Sequence, residues 1–94
     1  MRKIEQDMIT AIDTKISWSK DNTRVVYNPN ADTADVYLHD NHLLTVFYGI
    51  DELVVNRDTL ARWPTPPTKS MLNAFGDVSV HTSKGITYLN GEAV

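Results

Sequence analysis

His39, His42 and His81 are the side chains of this chain best suited to metal or proton chemistry near neutral pH. His39 and His42 flank Asp40-Asn41, two residues that tolerate positive φ and suit a tight type I′ hairpin. With that turn the two rings face each other across the hairpin. Two imidazoles do not make a zinc site, which takes three or four ligands. His81 is remote in sequence, and the nearest carboxylates are Asp35 and Asp40. The pair is therefore read as polar residues at the wet end of a hairpin, with no metal. No two carboxylates sit at a spacing that forces them into one cleft. Ser70, Ser79 and Ser83 lack a nucleophile-elbow glycine pattern. Four glycines build no phosphate-cradling loop, and the absence of cysteine removes thiolate chemistry and sulfur-ligated zinc. The chain is expected to be a non-enzyme with no cofactor.

The elements around these residues follow from periodicity. Ile4, Met8, Ala11, Ile12 and Ile16 recur at helical spacing and predict an amphipathic, core-facing N-terminal helix, with Trp18 closing the core edge behind it. Thr23 to Tyr27 reads as a strand ended by the loop Asn28-Pro29-Asn30-Ala31-Asp32. Residues 34–39 and 42–48 form the hairpin, and Gly49-Ile50-Asp51 turns the chain into a strand over Leu53-Val54-Val55. Residues 56–63 fit either a helical turn or a continued strand. Pro64-Thr65-Pro66-Pro67 then starts a second short helix, with Thr65 or Thr68 as N-cap and Gly76 as a left-handed C′ residue. Val78 to His81 and Ile86 to Leu89 form a hairpin over residues 82–85, and Asn90-Gly91 makes a last tight turn. Helices flank consecutive strands instead of alternating with them. The expectation is one α+β domain over residues 1–94, a small antiparallel sheet (a meander plus a C-terminal hairpin) packed with an N-terminal amphipathic helix and a second short helix.

A two-residue Asp40-Asn41 turn also sets a register. Leu38 then faces Leu43, Tyr37 faces Leu44 and Val36 faces Thr45. One side of the hairpin carries Val36, Leu38, Leu43 and Phe47; the other carries Tyr37, Leu44, Val46 and Tyr48. Both sides are then largely apolar, and something must cover the second one. Tyr37, Leu44, Val46 and Tyr48 are the expected partner-binding residues, the partner being another protein or a second copy of the chain in a homodimer. An alternative surface lies on the second helix. Lys69 and Asn73 share a face there with Arg62 nearby, a set suited to a nucleic-acid backbone, with Tyr37 or Tyr48 available to stack on bases.

Composition limits these choices. The 94 residues are 41% hydrophobic and 22% charged, the make-up of one folded domain with a limited core. The net charge of −3 scatters nine basic residues among twelve acidic ones, so no basic excess points to nucleic acid. The N-terminal residues do not read as a signal peptide, no apolar run is long enough to span a membrane, and the lack of cysteine suits a reducing compartment. A cytoplasmic, non-membrane protein is expected.

The chain resembles a family of small tailed-bacteriophage proteins with no assigned activity. The likeness lies in Lys3-Ile4-Glu5, Met8, Ala11-Ile12, Trp18, Asn22-Thr23 and Val25. It continues through Val36-Tyr37-Leu38-His39 with Asn41, Trp63-Pro64-Thr65, and Thr68-Lys69-Ser70 with Leu72-Asn73-Ala74. Similar proteins tend to carry Gly where Asp40 stands and a basic residue where Met71 stands, and the second departure weakens a nucleic-acid role for that helix. The resemblance implies a phage protein made in a bacterial cytoplasm and brings no catalytic residues. Together these observations predict a phage accessory protein that binds and modulates a host or phage protein, as in counter-defence or host takeover. Nucleic-acid binding is the alternative and an enzyme the third choice.

Overall fold

The stripe of Met8, Ala11 and Ile12 forms the buried face of helix α1 (Lys3–Asp13) in the computed structural model, which describes residues 2–94. Glu5 holds the start of this helix. Its carboxylate accepts from the Arg2 backbone N–H and pairs with the Arg2 guanidinium at 2.6 Å, so a nearly buried acid is matched by charge. Thr14 closes the other end by donating its hydroxyl to the Thr10 carbonyl at 2.7 Å. Lys15 then takes a left-handed φ of 55°. The helix therefore stops before Ile16, which is 59% exposed and not part of the core stripe that its spacing suggested.

Two compact units follow from the chain contacts, Met1–Asn56 and Arg57–Val94. In the first, α1 packs on a five-stranded antiparallel meander of β1 (Trp18–Lys20), β2 (Thr23–Asn28), β3 (Thr33–Leu38), β4 (Asn41–Phe47) and β5 (Glu52–Val55), arranged in sequence order. Trp18 belongs to an edge strand that the periodicity did not reveal, because three residues are too few to show alternation. A 3₁₀ turn over Tyr48–Ile50 and the left-handed Asp51 link β4 to β5.

The central hairpin is built one position away from its expected register. His39 and Asp40, with φ of 51° and 63°, make the turn, and Asn41 begins β4 opposite Leu38. Positive φ at both central positions is what a type I′ turn demands, and His joins Asn and Asp among the side chains that tolerate it. A β-bulge at Leu43 then shifts the pairing, so Tyr37 faces His42 while Val36 faces Leu44. The consequence reaches every side chain. Val25, Ala34, Val36, Leu38 and Leu44 become the buried face, with α1 packed on β1 and β2. The opposite face carries Arg24, Val26, Asp35, Tyr37, His42, Thr45, Phe47 and Val54, and none of these is buried. The hairpin is not apolar on both sides.

In the second unit, residues 57–62 form a helix, α2 (Arg57–Arg62), followed by α3 (Pro66–Asn73) and a three-stranded antiparallel sheet, β6 (Val80–Ser83), β7 (Ile86–Leu89) and β8 (Glu92–Ala93). Thr65 is the N-cap of α3, and its hydroxyl meets that of Thr68 at 3.0 Å. The helix ends at Asn73 with Ala74 still right-handed, so Gly76 is not a left-handed cap. Positive φ is used instead at Gly85 and Gly91, in the tight turns Lys84-Gly85 and Asn90-Gly91. The first of these turns is two residues long, which extends β6 to Ser83. The molecule is α+β.

Candidate functional site

The wet face of the five-stranded sheet holds a connected row of polar side chains. Asp35 and Tyr37 stand on β3, His42 and Thr45 on β4, Arg24 on β2, and Asn56 follows β5. The Arg24 guanidinium lies over the Tyr37 ring at 4.6 Å, and Tyr37 meets the His42 ring edge-on at 5.4 Å between centroids. His42 Nε2 is 2.9 Å from Asp35 Oδ1 and 2.9 Å from Thr45 Oγ1, while the Thr45 hydroxyl donates to that same carboxylate oxygen. On the other side of the ring, Asn56 Nδ2 lies 3.2 Å from His42 Nδ1.

These contacts assign the protons. Both neighbours of Nε2 present lone pairs to it, so Nε2 carries a hydrogen, and Nδ1 accepts from the Asn56 amide. A histidine that activates a hydroxyl must offer that hydroxyl a bare nitrogen, with its orienting carboxylate on the other nitrogen. Here hydroxyl and carboxylate share one nitrogen and the hydroxyl proton already goes to Asp35. The geometry holds side chains in place; it does not prepare a nucleophile. His39 sits exposed in the turn, away from the ring of His42, so the two histidines do not pair across the hairpin. His81 stacks on Tyr88 at 5.1 Å in the other sheet. Among the described residues no group of three or more His, Asp or Glu side chains is placed to hold a metal ion.

Of the four residues expected to bind a partner, Tyr37 alone stands on this open face. Leu44 is 0% exposed in the core and Val46 shares its side of the sheet. Tyr48 donates its hydroxyl at 2.5 Å to the Ile12 carbonyl at the end of α1, which also accepts from the Lys15 N–H at 3.2 Å. Around it Tyr27 packs edge-on at 5.9 Å, and Lys15 lies 4.7 Å from its ring centre while pairing with Asp32 at 3.0 Å. The hydrogen bond to Asp32 raises the Lys15 ammonium above its ordinary pKa, against partial desolvation.

Burial raises the Tyr48 phenol above its ordinary pKa, with Tyr27, Asp13 and Asp32 adding in the same direction. A raised folded value means that the fold favours the neutral phenol. The contribution is complete at neutral pH and is lost as pH climbs past the unfolded tyrosine value of about 10 and through the higher folded one. Tyr48→Phe is expected to cost about 1 kcal/mol at pH 7 through the lost hydrogen bond to Ile12. The gap between the two proteins in urea unfolding should narrow above about pH 10. A gap that stays constant or widens there would refute the assignment.

The alternative set is also placed. Asn73 is committed to the backbone of β6: its amide donates to the Val80 carbonyl at 2.9 Å and accepts from the Val80 N–H at 2.7 Å. Lys69 Nζ donates to Thr82 Oγ1 at 3.0 Å, and Arg62 is exposed at the end of α2. Pro66 and Pro67 occupy the first turn of α3 and bring no N–H, so two of the amides that would greet an anion are missing.

Sequence reading missed Arg24, Asp35, Thr45 and Asn56 as members of one surface. A signal for part of it was present. Ala34-Asp35-Val36-Tyr37-Leu38 alternates apolar and polar residues, the mark of a strand with one wet face. Nothing in the chain announced the bulge at Leu43, which brings His42 beside Tyr37.

Fold and site together define a small α+β protein whose candidate surface is an open sheet face with a preordered polar row, not a cleft. The family model described as Kyanoviridae Gp96 protein matches residues 1–94, and the chain belongs to that phage protein family. No curated protein and no solved structure matches the chain. Among the described residues no helix is long and apolar enough to cross a membrane.

Proposed function

We propose that this phage protein is a non-catalytic accessory factor of the host cytoplasm that binds a host or phage protein through the open face of its five-stranded sheet and modulates it. The observation that supports this reading is the row Arg24–Tyr37–His42–Asp35–Thr45, half-exposed side chains that hold one another in fixed positions. Side chains already ordered lose little rotamer freedom on binding, and Tyr and Arg are the residue types that carry most interface energy. Val26, Phe47 and Val54 supply apolar area beside the row. Inhibition of a defence or takeover target is the form of modulation this reading favours.

Affinity capture from bacterial lysate tests it, with Tyr37→Ala as the paired bait. The wild-type protein should retain a partner that Tyr37→Ala retains at least roughly tenfold less, the loss of an aromatic anchor worth about 1.4 kcal/mol or more. Equal capture by both baits, or no partner above background at low salt, overturns the reading. Nucleic-acid binding through Arg62, Lys69 and Asn73 has less support, because Asn73 and Lys69 are occupied within the fold. In gel shifts, no retardation of DNA or RNA is expected at low salt, where phosphate contacts are strongest.

A further inference from the structure

The open face is small for a stable complex. Its five strands lie roughly 4.8 Å apart and run from three residues (β1) to seven (β4), giving on the order of 400 Å², near half of what one partner commonly contributes. A binder must therefore reach further, and the edge strand β1 is where the molecule offers more.

Two hollows share Ser17 and Trp18 in their walls, at the start of the edge strand β1. One, of about 280 Å³, lies on the helix side, where Asp7 and Thr10 of α1 and its cap Thr14 face Ile16 and Trp18. The other, of about 310 Å³, reaches the wet side, where Arg24 and Val26 flank Ser17, Trp18 and Ser19. Ile16 and Val26 leave apolar surface exposed at the two rims. The charges are opposite: a carboxylate on one side and a guanidinium on the other. Asp7 is paired with Lys3 by a surface i,i+4 contact at 2.9 Å, worth only a few tenths of a kcal/mol and readily exchanged.

We infer that β1 is a docking edge for an extended segment of the partner protein, which adds as a further strand and carries two adjacent residues of opposite charge. The inference rests on the protein-binding reading above. Successive side chains of a strand point to opposite faces, so a segment lying along β1 sends one residue into each hollow. The basic residue enters the helix-side hollow, its charge at Asp7 and its stem along the Trp18 ring. The acidic residue turns to Arg24 on the other side, exchanging with the exposed Arg24–Asp40 contact at 3.7 Å, a surface ion pair worth little. Strand addition also covers the unpaired backbone groups that an edge strand exposes.

A Trp63→Phe background leaves Trp18 as the one fluorescent indole of the two tryptophans. Into it one titrates the capped hexapeptide Thr-Val-Lys-Glu-Val-Thr, with Lys-Lys and Glu-Glu versions and a backbone N-methylated version as controls. The Lys-Glu peptide should shift Trp18 emission saturably in the range of roughly 0.1–1 mM. The same-sign peptides should bind at least fivefold more weakly, and the N-methylated one should not bind. Asp7→Asn and Arg24→Gln should each weaken the Lys-Glu peptide at least threefold, with unchanged circular dichroism. No shift, equal binding of same-sign peptides, or binding that survives N-methylation overturns the inference. So does a doubled mass in light scattering that the Lys-Glu peptide leaves intact, since a second copy would then occupy the edge. The lysate experiment separates the two readings. If Asp7→Asn captures the partner as well as wild type while Tyr37→Ala loses it, the sheet face binds and the edge does not.

Discussion

Leu44→Ala is expected to lower the thermal midpoint by roughly 10 °C or more, because emptying a fully buried leucine site costs about 2–5 kcal/mol. Leu44 is 0% exposed on β4, a strand paired on both sides, and stands opposite Val36 of β3 and Val55 of β5. Neighbours held in a ladder on either flank collapse poorly into a cavity, which places the cost toward the upper part of that range. Val54→Ala is the matched control: it lies on the wet face of β5, half exposed, and should change stability by under about 1 kcal/mol. The comparison also reads the hairpin register. With Leu44 on the outer face, as an Asp40-Asn41 turn would have it, its truncation would be mild and any lost partner capture would report a contact. With the turn at His39-Asp40, lost capture by Leu44→Ala reports unfolding. Thermal denaturation followed by far-ultraviolet circular dichroism decides it; near-equal midpoints for Leu44→Ala and wild type would sink the observed register.

The second large effect belongs to Asn73. Its side-chain amide pairs with the Val80 peptide in both directions, as a neighbouring strand would, and so fastens α3 to the start of β6. Asn73→Ala strands a part-buried N–H and C=O together, at a cost of about 2 kcal/mol once partial access of water is allowed for. Asn73→Asp should not rescue, since it replaces the donor to the Val80 carbonyl with a second acceptor. Arg62→Ala, an exposed change at the end of α2, should stay within about 0.5 kcal/mol. Hydrogen exchange at the Val80 amide gives the local readout: it should accelerate at least tenfold in both Asn73 variants and stay unchanged in Arg62→Ala. An Asn73→Ala protein as stable as wild type, with slow exchange at Val80, would return this residue to the list of free surface groups.

These two residues show where pattern and structure part. Leu44 and Asn73 are ordinary in type and position, and periodicity treats them as a surface leucine and a helix-face amide. The structure gives each a partner more than five positions away in the chain, Val36 and Val80, and that partner decides its role.

What the amino-acid sequence determined by itself is the set of elements whose causes are local. The α1 stripe, the succession of antiparallel strands, the prolines that open α3 and the Asn90-Gly91 turn all follow from contacts within a few residues, and so does the α+β class. The tertiary structure alone decided the register of the central hairpin, the side of the sheet that stays wet, and the joining of Arg24, Tyr37, His42, Asp35 and Thr45 into one row. The physical reason is the two-residue period of a strand. A one-residue move of the turn and one bulge at Leu43 exchange inside for outside, while the local preferences of His39, Asp40 and Asn41 for positive φ differ too little to choose between the two turns. Burial of Val36 and Leu44 on one face of the sheet makes the choice, and no short window of sequence contains the strands that bury them.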